Sequence, residues 1–238
     1  MPRTRKTELK LENQLRPPKI TVKNLGLTEK QKDLVRLGID DDNKVIFISG
    51  PAGSTKTFMA AYCALKKLKQ NEDMDLLYVR TVIESADKGM GALPGDIDDK
   101  FSPYMAPIED KLRELLPSTT GIASELIKNK RVQAMPINFL RGANWINKIV
   151  IADEAQNFTF KELTTLMTRL GNNSQLFICG DYMQSDINGK SGFKDMFNLF
   201  NDESSRSNGI QCFSFGLEDI KRSKILSYII KKISSKSV

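Results

Sequence analysis

Apolar and polar positions along the chain fall into blocks of two kinds. Apolar runs of four to six residues recur from residue 44 onwards and end at glycine or polar residues. Runs of this length are typical of strands that are buried on both faces of a sheet. They predict strands at 44–49, 76–79, 148–152, 175–179 and 211–215.

Between these runs, apolar residues recur at the three- and four-residue spacing of an amphipathic helix. The spacing is clearest at Phe58, Ala61, Leu65 and Leu68, which predict a helix over 57–69. Further helices are predicted at 28–35, 108–116 and 160–170. Strands that alternate with helices indicate βαβ units. The expected fold class is therefore α/β, with a mainly parallel sheet and helices on both faces.

Residues 82–130 interrupt this alternation, with glycines and prolines concentrated between 89 and 107. We expect this segment to be a long excursion above the sheet edge, and long loops in compact domains are often functional. The chain is accordingly divided into three parts. They are a basic N-terminal arm (1–23), a main domain that includes the excursion (24–230) and a basic C-terminal tail (231–238).

Polar residues directly follow four of the predicted strands, at 50–57, 80–81, 153–154 and 180–181. The carboxyl ends of parallel strands meet at one edge of a sheet, and ligands bind in the crevice beyond that edge. These four segments are therefore predicted to form a single site.

Composition narrows the chemistry of such a site. Histidine is absent from the 238 residues, which excludes Ser-His-Asp triads, Cys-His nucleophile pairs and histidine-containing metal sites. The three cysteines are far apart in sequence and are expected to be apolar core residues in a reducing compartment. No apolar run reaches 18 residues, so we expect a soluble intracellular protein with no membrane partner.

The net charge of +7 is concentrated at the two ends of the sequence. Residues 1–23 carry a net charge of +5 and residues 221–238 a net charge of +6, which leaves −4 between them. Basic arms of this kind attract polyanions such as nucleic acids. The alternative is ordinary solubilising charge at poorly ordered termini.

The segment after the first strand resembles a phosphate-binding loop. It consists of Gly50, Pro51, Ala52, Gly53, Ser54, Thr55, Lys56 and Thr57. The pattern G-x-x-x-x-G-K-[ST] is matched except at Thr55, where glycine is expected. Backbone amides would surround the phosphates, Lys56 would bridge the terminal phosphates and Thr57 would help to hold Mg²⁺. The Thr55 side chain must point away from the nucleotide, and we expect it to weaken binding or slow turnover.

The strand at 148–152 ends in two carboxylates, Asp153 and Glu154. Asp153 is expected to reach the Mg²⁺ beside Thr57, and Glu154 to polarise the attacking water, a role that a site without histidine must give to a carboxylate. An acidic strand-to-helix turn that serves as an N-cap is the alternative. The phosphate loop upstream favours the catalytic interpretation.

Gln184 follows the next strand in the segment Gly180-Asp181-Tyr182-Met183-Gln184. A glutamine at this position could sense the γ-phosphate or orient water, as glutamine does in other nucleoside triphosphatases. The alternative is a turn that contains glycine and aspartate.

Taken together, these motifs resemble the PhoH-like ATPase family in a single-domain form. The resemblance covers residues 25–230. It rests on the phosphate loop and on segments 93–96, 139–142, 153–157, 168–171 and 180–184. It implies a RecA-like core similar to the first motor domain of superfamily-one helicases, with ATP and Mg²⁺ as cofactors and RNA or single-stranded DNA as the polymer. A Lys-, Asn- and Ile-rich composition hints at a bacterial or phage source, so the cytoplasm, or the host cytoplasm, is the expected location.

The same resemblance assigns roles to three further residues. Gln31 would recognise adenine, Arg169 would lie near the γ-phosphate or at a subunit interface, and Arg222 would be an arginine finger. Each has an ordinary alternative: a surface helix residue for Gln31, a helix C-terminal cation for Arg169 and part of the basic tail for Arg222. Because one RecA-like domain lacks the second domain that completes such a site, a homo-oligomer is expected, with a hexamer as the leading hypothesis.

Residues at the start of the excursion are expected to face the polymer, with cations on phosphates and aromatic rings on bases. They are Arg80, Thr81, Lys88, Lys100, Phe101 and Tyr104. A nucleotide lid or a packing loop is the alternative for this segment. At the level of function, the motor hypothesis competes with an ATP-binding assembly or regulatory switch of weak turnover and with a small-molecule kinase.

Overall fold

A single sheet organises the chain in the computed structural model, which describes residues 19–81, 97–140, 144–181 and 190–221 together with positions 225, 228, 229 and 232. The strands are β1 (Val45–Ser49), β2 (Asp75–Arg80), β3 (Val132–Pro136), β4 (Lys148–Ala152), β5 (Gln175–Gly180) and β6 (Ile210–Ser214). The helices are α1 (Glu29–Ile39), α2 (Lys56–Gln70), α3 (Ile97–Leu115), α4 (Ile122–Lys128), α5 (Phe160–Met167), α6 (Phe193–Leu199) and α7 (Glu203–Ser207).

All six strands are parallel and lie in the order β3-β2-β4-β5-β1-β6. The strand that precedes the phosphate loop, β1, and the strand that precedes the paired carboxylates, β4, are separated by β5 alone. The register pairs Ser49 with Gly180 and Val79 with Ala152, so the carboxyl ends of the central strands are level. The predicted parallel α/β sheet is confirmed.

Alternate residues of each central strand enter two separate cores. Ile46 and Ile48 of β1 pack in the core beneath α1, α2, α3 and α4, whereas Val45 and Phe47 pack in the core beneath α5 and α6. In these cores Leu34 of α1 and Leu163 of α5 are fully buried. Burial on both faces explains why the four central strands are almost wholly apolar and could be identified. The fifth predicted strand, β6, is an edge strand whose residues are mostly half-buried.

The third strand, β3, was not predicted. Its residues alternate between buried and half-buried, which is typical of an edge strand with only one face in the core. The segment Val132-Gln133-Ala134-Met135-Pro136 therefore lacks the continuous apolar run of the central strands. The feature of the sequence that could have identified β3 is the alternation of apolar Val132 and Ala134 with polar Gln133.

The expected excursion over 82–130 differs from the structure in the part that is described. Residues 97–128 form α3 and α4, which connect β2 to its neighbour β3, and Ile108, Leu112 and Leu126 are fully buried against the sheet. The helix predicted at 108–116 is the second half of α3, which passes through Pro103 and Pro107. These prolines in the sequence concealed its first half, because proline normally ends a helix.

Two further expectations concern the cysteines, as apolar core residues, and membrane-spanning segments. Cys63 and Cys179 are buried and Cys212 is half-buried, and all three are free thiols. Burial raises the pKa of Cys63 to about 12, so this thiol is an inert core group. Within the described parts of the chain, no helix is both long and apolar enough to cross a bilayer.

Candidate nucleotide-binding site

The phosphate loop lies between β1 and α2, as the sequence predicts. Its carboxyl end leads directly into the first turn of α2, so backbone N–H groups and the positive end of the helix face the loop. Ser54 is completely buried, and its hydroxyl donates to the carbonyl of Pro51 at 2.8 Å. The loop conformation is therefore stabilised by its own residues.

Lys56 is folded over this loop. Its Nζ donates to the carbonyl oxygens of Gly50 at 2.7 Å and of Pro51 at 3.0 Å. The ammonium group thus lies at the mouth of the loop, where the terminal phosphates of a nucleotide would be bound. Phosphate oxygens would replace these two carbonyl acceptors.

Thr55 occupies a left-handed backbone conformation, with φ of 66° and ψ of 17°. This conformation explains why the pattern expects glycine, since it costs other residues about 1–2 kcal/mol. The Thr55 hydroxyl accepts a hydrogen bond from Nε2 of Gln31 at 3.0 Å. The side chain is therefore directed towards α1, and both Thr55 and Gln31 line the pocket.

Gln31, which was expected to read adenine, is engaged within the chain at both ends of its amide. Its Oε1 accepts the backbone N–H of Thr28 at 3.0 Å in the N-terminal capping box of α1, while Nε2 donates to Thr55. The second N–H of the amide and the second lone pair of Oε1 stay available for a ligand. In this structure the residue connects α1 to the phosphate loop.

Asp153, at the carboxyl end of β4, is 7% exposed and is held by two hydroxyl groups. Thr57 donates to its Oδ1 and Tyr78 donates to its Oδ2. The backbone N–H of Asp153 donates to the carbonyl of Val79 at 2.9 Å, which extends the β2–β4 ladder by one residue. The expected proximity of Thr57 and Asp153 is thus present.

Tyr78 was not predicted as a site residue. It is completely buried in the middle of β2, yet its hydroxyl reaches the pocket. Burial, and next the neighbouring Asp153 carboxylate, raise the pKa of Tyr78, so the phenol remains protonated and acts as a donor. The sequence could have indicated this role, because Tyr78 is the one hydroxyl-bearing residue in the apolar run Leu76-Leu77-Tyr78-Val79. A buried tyrosine hydroxyl needs a hydrogen-bond partner.

Glu154 differs from its neighbour in both exposure and backbone. Its side chain is 44% exposed and its φ is 54°, a left-handed conformation that directs the side chain into the pocket. Nε2 of Gln156 donates to its Oε2 at 2.7 Å, and Oε1 lies 3.4 Å from the guanidinium of Arg80. The carboxylate is therefore accessible and is held by two side chains.

Gln156 is a second residue without a predicted role. It is 3% exposed, and its Oε1 accepts the backbone N–H of Asp181 at 3.1 Å. One amide thus connects Glu154, after β4, to the turn after β5. The signal was available, since Gln156 lies two residues beyond the paired carboxylates in the same segment.

The structure describes the side chains of three of the six residues that were expected to face the polymer. Arg80 lines the nucleotide pocket with Glu154, and Tyr104 packs against the core of the α3 face. Thr81 follows Arg80 at the end of β2 and is half-buried. The side chains of Lys100 and Phe101 lie outside the described part of the structure, as does the whole of Lys88.

The structure places Arg169 away from the phosphate loop of its own chain, and its expected role near a γ-phosphate or at a subunit interface stays a prediction. Helix α5 starts at the carboxyl edge and returns to the opposite edge, where the carbonyl of Arg169 accepts the N–H of Trp145 at 2.9 Å. Trp145 precedes β4, whereas Asp153 follows it, so the whole length of β4 separates Arg169 from the site. A crossover helix between parallel strands must return in this way. Gln184 and Arg222 fall outside the described residues.

The phosphate loop opens into a cavity of about 890 Å³. Its outer wall, the name used below, consists of Leu25, Gly26 and Leu27 before α1 with Pro107, Lys111 and Glu114 of α3. Lys111 and Glu114 form an ion pair at 2.6 Å. Lys221 also lines the cavity, and its N–H donates to the carbonyl of Gly53 at 3.1 Å.

The cavity thus combines a phosphate loop, a lysine and a hydroxyl–carboxylate pair at the carboxyl edge of a parallel sheet. A family model described as PhoH-like protein matches residues 23–234. The chain belongs to the PhoH-like family. The family and the phosphate loop at the carboxyl edge of an all-parallel sheet make it a P-loop protein of the α/β class.

Curated relatives agree with this assignment. The chain is 32% identical over 201 residues to Protein PhoH of Escherichia coli K12, which covers 84% of this chain and 55% of that protein. It is 30% identical over 212 residues to the PhoH-like protein of Bacillus subtilis, covering 89% of this chain and 63% of the relative. The PhoH-like protein of Synechocystis is 37% identical over 143 residues, or 60% of this chain and 43% of that protein. The chain therefore spans about half the length of these relatives.

Solved structures of Pif1 helicases also align with the chain. The crystal structure of Pif1 helicase from Candida albicans matches with a TM-score of 0.40 and 12% identity, over 81% of this chain and 40% of that one. A Bacteroides Pif1 in complex with ADP-AlF4 matches with a TM-score of 0.39 and 17% identity, over 85% and 44%.

Proposed function

We propose that this protein hydrolyses ATP in an Mg²⁺-dependent reaction that is coupled to binding or remodelling of RNA or single-stranded DNA. The observation that carries the proposal is the meeting of Lys56, Thr57 and Asp153 in one cavity, although Asp153 is 96 residues away from Thr57 in sequence. In this arrangement a cation, a hydroxyl and a carboxylate surround the place where the terminal phosphates would lie.

The donor set fits Mg²⁺. Hydroxyl and carboxylate oxygens are hard ligands, and Mg²⁺ is usually held by one or two carboxylates together with substrate phosphates. Among the described residues, no group of three or more His, Cys, Asp or Glu could hold a metal ion unaided. Thr57 and Asp153 would hold the ion together with the nucleotide. When bound, Mg²⁺ would neutralise charge on the phosphate oxygens.

We assign a separate role in hydrolysis to each of the remaining residues. Lys56 would bind the terminal phosphates, and Glu154, accessible and directed into the pocket, would accept a proton from the attacking water. Gln156 would hold Glu154 in place. Gln184 as a γ-phosphate sensor and Arg222 as a finger supplied in trans remain proposals from the family resemblance, as does Arg169 at a subunit interface. A homo-oligomer, with a hexamer as the leading hypothesis, would bring such arginines to a neighbour's site.

Coupling to a polymer is supported by the position of Arg80. It is the last residue of β2, precedes the segment expected to face the nucleic acid and lies 3.4 Å from Glu154. A cation shared between the catalytic carboxylate and a polymer phosphate would connect the two ligands. Basic segments at 1–23 and 221–238 supply further attraction for a polyanion.

The second candidate is an ATP-binding regulatory switch with weak turnover. The observation that favours it is Thr55, which has a left-handed backbone conformation at the loop position where the motif has glycine. Such a switch would bind ATP without any response to nucleic acid.

The test is steady-state ATPase activity with and without single-stranded RNA or DNA, at low and moderate salt. We expect stimulation by at least one polymer that weakens as salt rises. Glu154→Gln should lower kcat about 100- to 1,000-fold and leave ATP affinity within about 2-fold, since a general base contributes in this range. Glu203→Gln, on the exposed helix α7, is the matched control. ATP binding without stimulation by either polymer would favour the switch.

A further inference from the structure

Tyr78 has a buried hydroxyl group that packing in the core does not require. Its neighbours Leu76, Leu77 and Val79 in β2 are apolar, and phenylalanine would fill the same space without burying a polar atom. Burial of a hydroxyl is unfavourable unless a hydrogen bond compensates for it. Here the compensating acceptor is a carboxylate of the proposed metal site.

The sheet register brings this pair together. Tyr78 of β2 lies opposite Ile151 of β4, and Asp153 follows Ile151 by two residues, on the same face. Diagonal neighbours of this kind are about 7–8 Å apart at the backbone, which is within the reach of an aromatic side chain. The phenol therefore extends across the end of the sheet to Oδ2.

The two oxygens of Asp153 are assigned to different partners. Tyr78 donates to Oδ2 from the buried side, and Thr57 donates to Oδ1 from the side of the phosphate loop. With Oδ2 held, the carboxylate cannot rotate freely, and Oδ1 stays directed at the hydroxyl that would share the metal ion. A metal ligand whose outer partner is removed typically loses affinity by about 10- to 100-fold.

We propose that Tyr78 is a positioning residue for Mg²⁺: its hydroxyl fixes Asp153 so that Oδ1 is presented to the metal beside Thr57. The inference rests on the proposed nucleotide-binding function. It assigns no contact with the nucleotide to Tyr78 itself.

The test is Mn²⁺ binding, measured by electron paramagnetic resonance, to the full chain with and without ADP. Tyr78→Phe should bind Mn²⁺ about 10-fold more weakly in the presence of ADP, while ADP affinity in EDTA stays within about 2-fold of the original protein. The Mg²⁺ concentration that gives half-maximal ATPase activity should rise by a similar factor. A purely structural hydroxyl would change thermal stability and leave the metal affinity untouched.

Tyr62→Phe is the matched control, because Tyr62 is also buried in the core beneath α1, α2, α3 and α4. Its ring contacts Lys66, with Nζ at 5.2 Å, and not the proposed metal site. It should bind Mn²⁺ like the original protein. Tyr78→Leu also removes the hydroxyl and should reproduce the metal defect, which keeps the test available if either Tyr78 variant does not fold.

Equal Mn²⁺ affinity in Tyr78→Phe and the original protein would overturn the inference. Failure of the original protein to bind ADP or ATP at all is a different result, because it would contradict the proposed function instead.

Discussion

The phosphate end of the pocket, which consists of the loop 50–57 with Tyr78 and Asp153, and the outer wall are stabilised in different ways. At the phosphate end, Thr57 of α2 and Tyr78 of β2 both donate to Asp153 after β4, and Asp153 is almost wholly buried. At the outer wall, Lys111 and Glu114 belong to the same helix, and their side chains are 28% and 52% exposed. Groups with several buried partners are held in place before a ligand arrives, whereas exposed ion pairs contribute about 0–1 kcal/mol.

This difference suggests that affinity comes from the triphosphate and the metal more than from the base. The phosphate end is formed by the carboxyl ends of β1 and β4 and by the start of α2, so its geometry follows from the sheet itself. The outer wall depends on α3 and on the lead-in to α1. Three variants test the comparison, from the largest expected effect to the smallest.

Lys56→Ala should weaken MgATP binding more than about 100-fold. The variant removes the one phosphate-loop ammonium, and charge-assisted bonds to phosphate are about twice as strong as neutral hydrogen bonds. Titration with a fluorescent ATP analogue measures the effect. Lys69→Ala, at an exposed position of the same helix, is the control and should bind normally. A loss below about 5-fold would mean that the phosphate end does not dominate.

Gln31→Ala should reduce ATP and GTP affinity equally, by about 5-fold, because it removes the hydrogen bond that holds Thr55 and a typical hydrogen bond contributes about 1 kcal/mol. In a Thr55→Gly background the same change should have little effect, since the acceptor is already absent. Isothermal titration of the four proteins of this cycle with both nucleotides gives the comparison. A loss confined to ATP would instead support the adenine-reading role expected from the family.

Lys111→Ala should change ATP affinity less than about 3-fold, because its ion pair with Glu114 is exposed to solvent. The same titration used for Lys56→Ala provides the value on one scale. A change above 10-fold would make the outer wall a specific part of the site and would end the contrast with the phosphate end.

Much of the phosphate end could be predicted from the sequence, because it depends on local patterns. The loop 50–57 matches an eight-residue motif, and Asp153 follows an apolar run that is buried on both faces. Each signal is contained within about ten residues. Their meeting at one edge follows from the rule for parallel sheets.

What could not be predicted depends on register and on chain reversal. The contact between Tyr78 and Asp153 requires the pairing of β2 with β4, which no local pattern contains. The position of Arg169 relative to the phosphate loop could not be predicted, because it depends on where α5 ends. The strand β3 was missed because its buried residues alternate with half-buried ones, which leaves only half of the apolar signal. The ion pair of Arg80 with Glu154 could not be predicted either, because Glu154 reaches Arg80 through a left-handed backbone conformation that is rare outside glycine.

The most direct measurement is a crystal structure of the protein with Mg²⁺ and a non-hydrolysable ATP analogue. We predict that the β- and γ-phosphates lie in the loop 50–57, that Lys56 exchanges its bonds to Gly50 and Pro51 for phosphate oxygens, and that the bond from Tyr78 to Asp153 is retained. A nucleotide bound away from this loop, or a metal ion held without Thr57 and Asp153, would contradict the account.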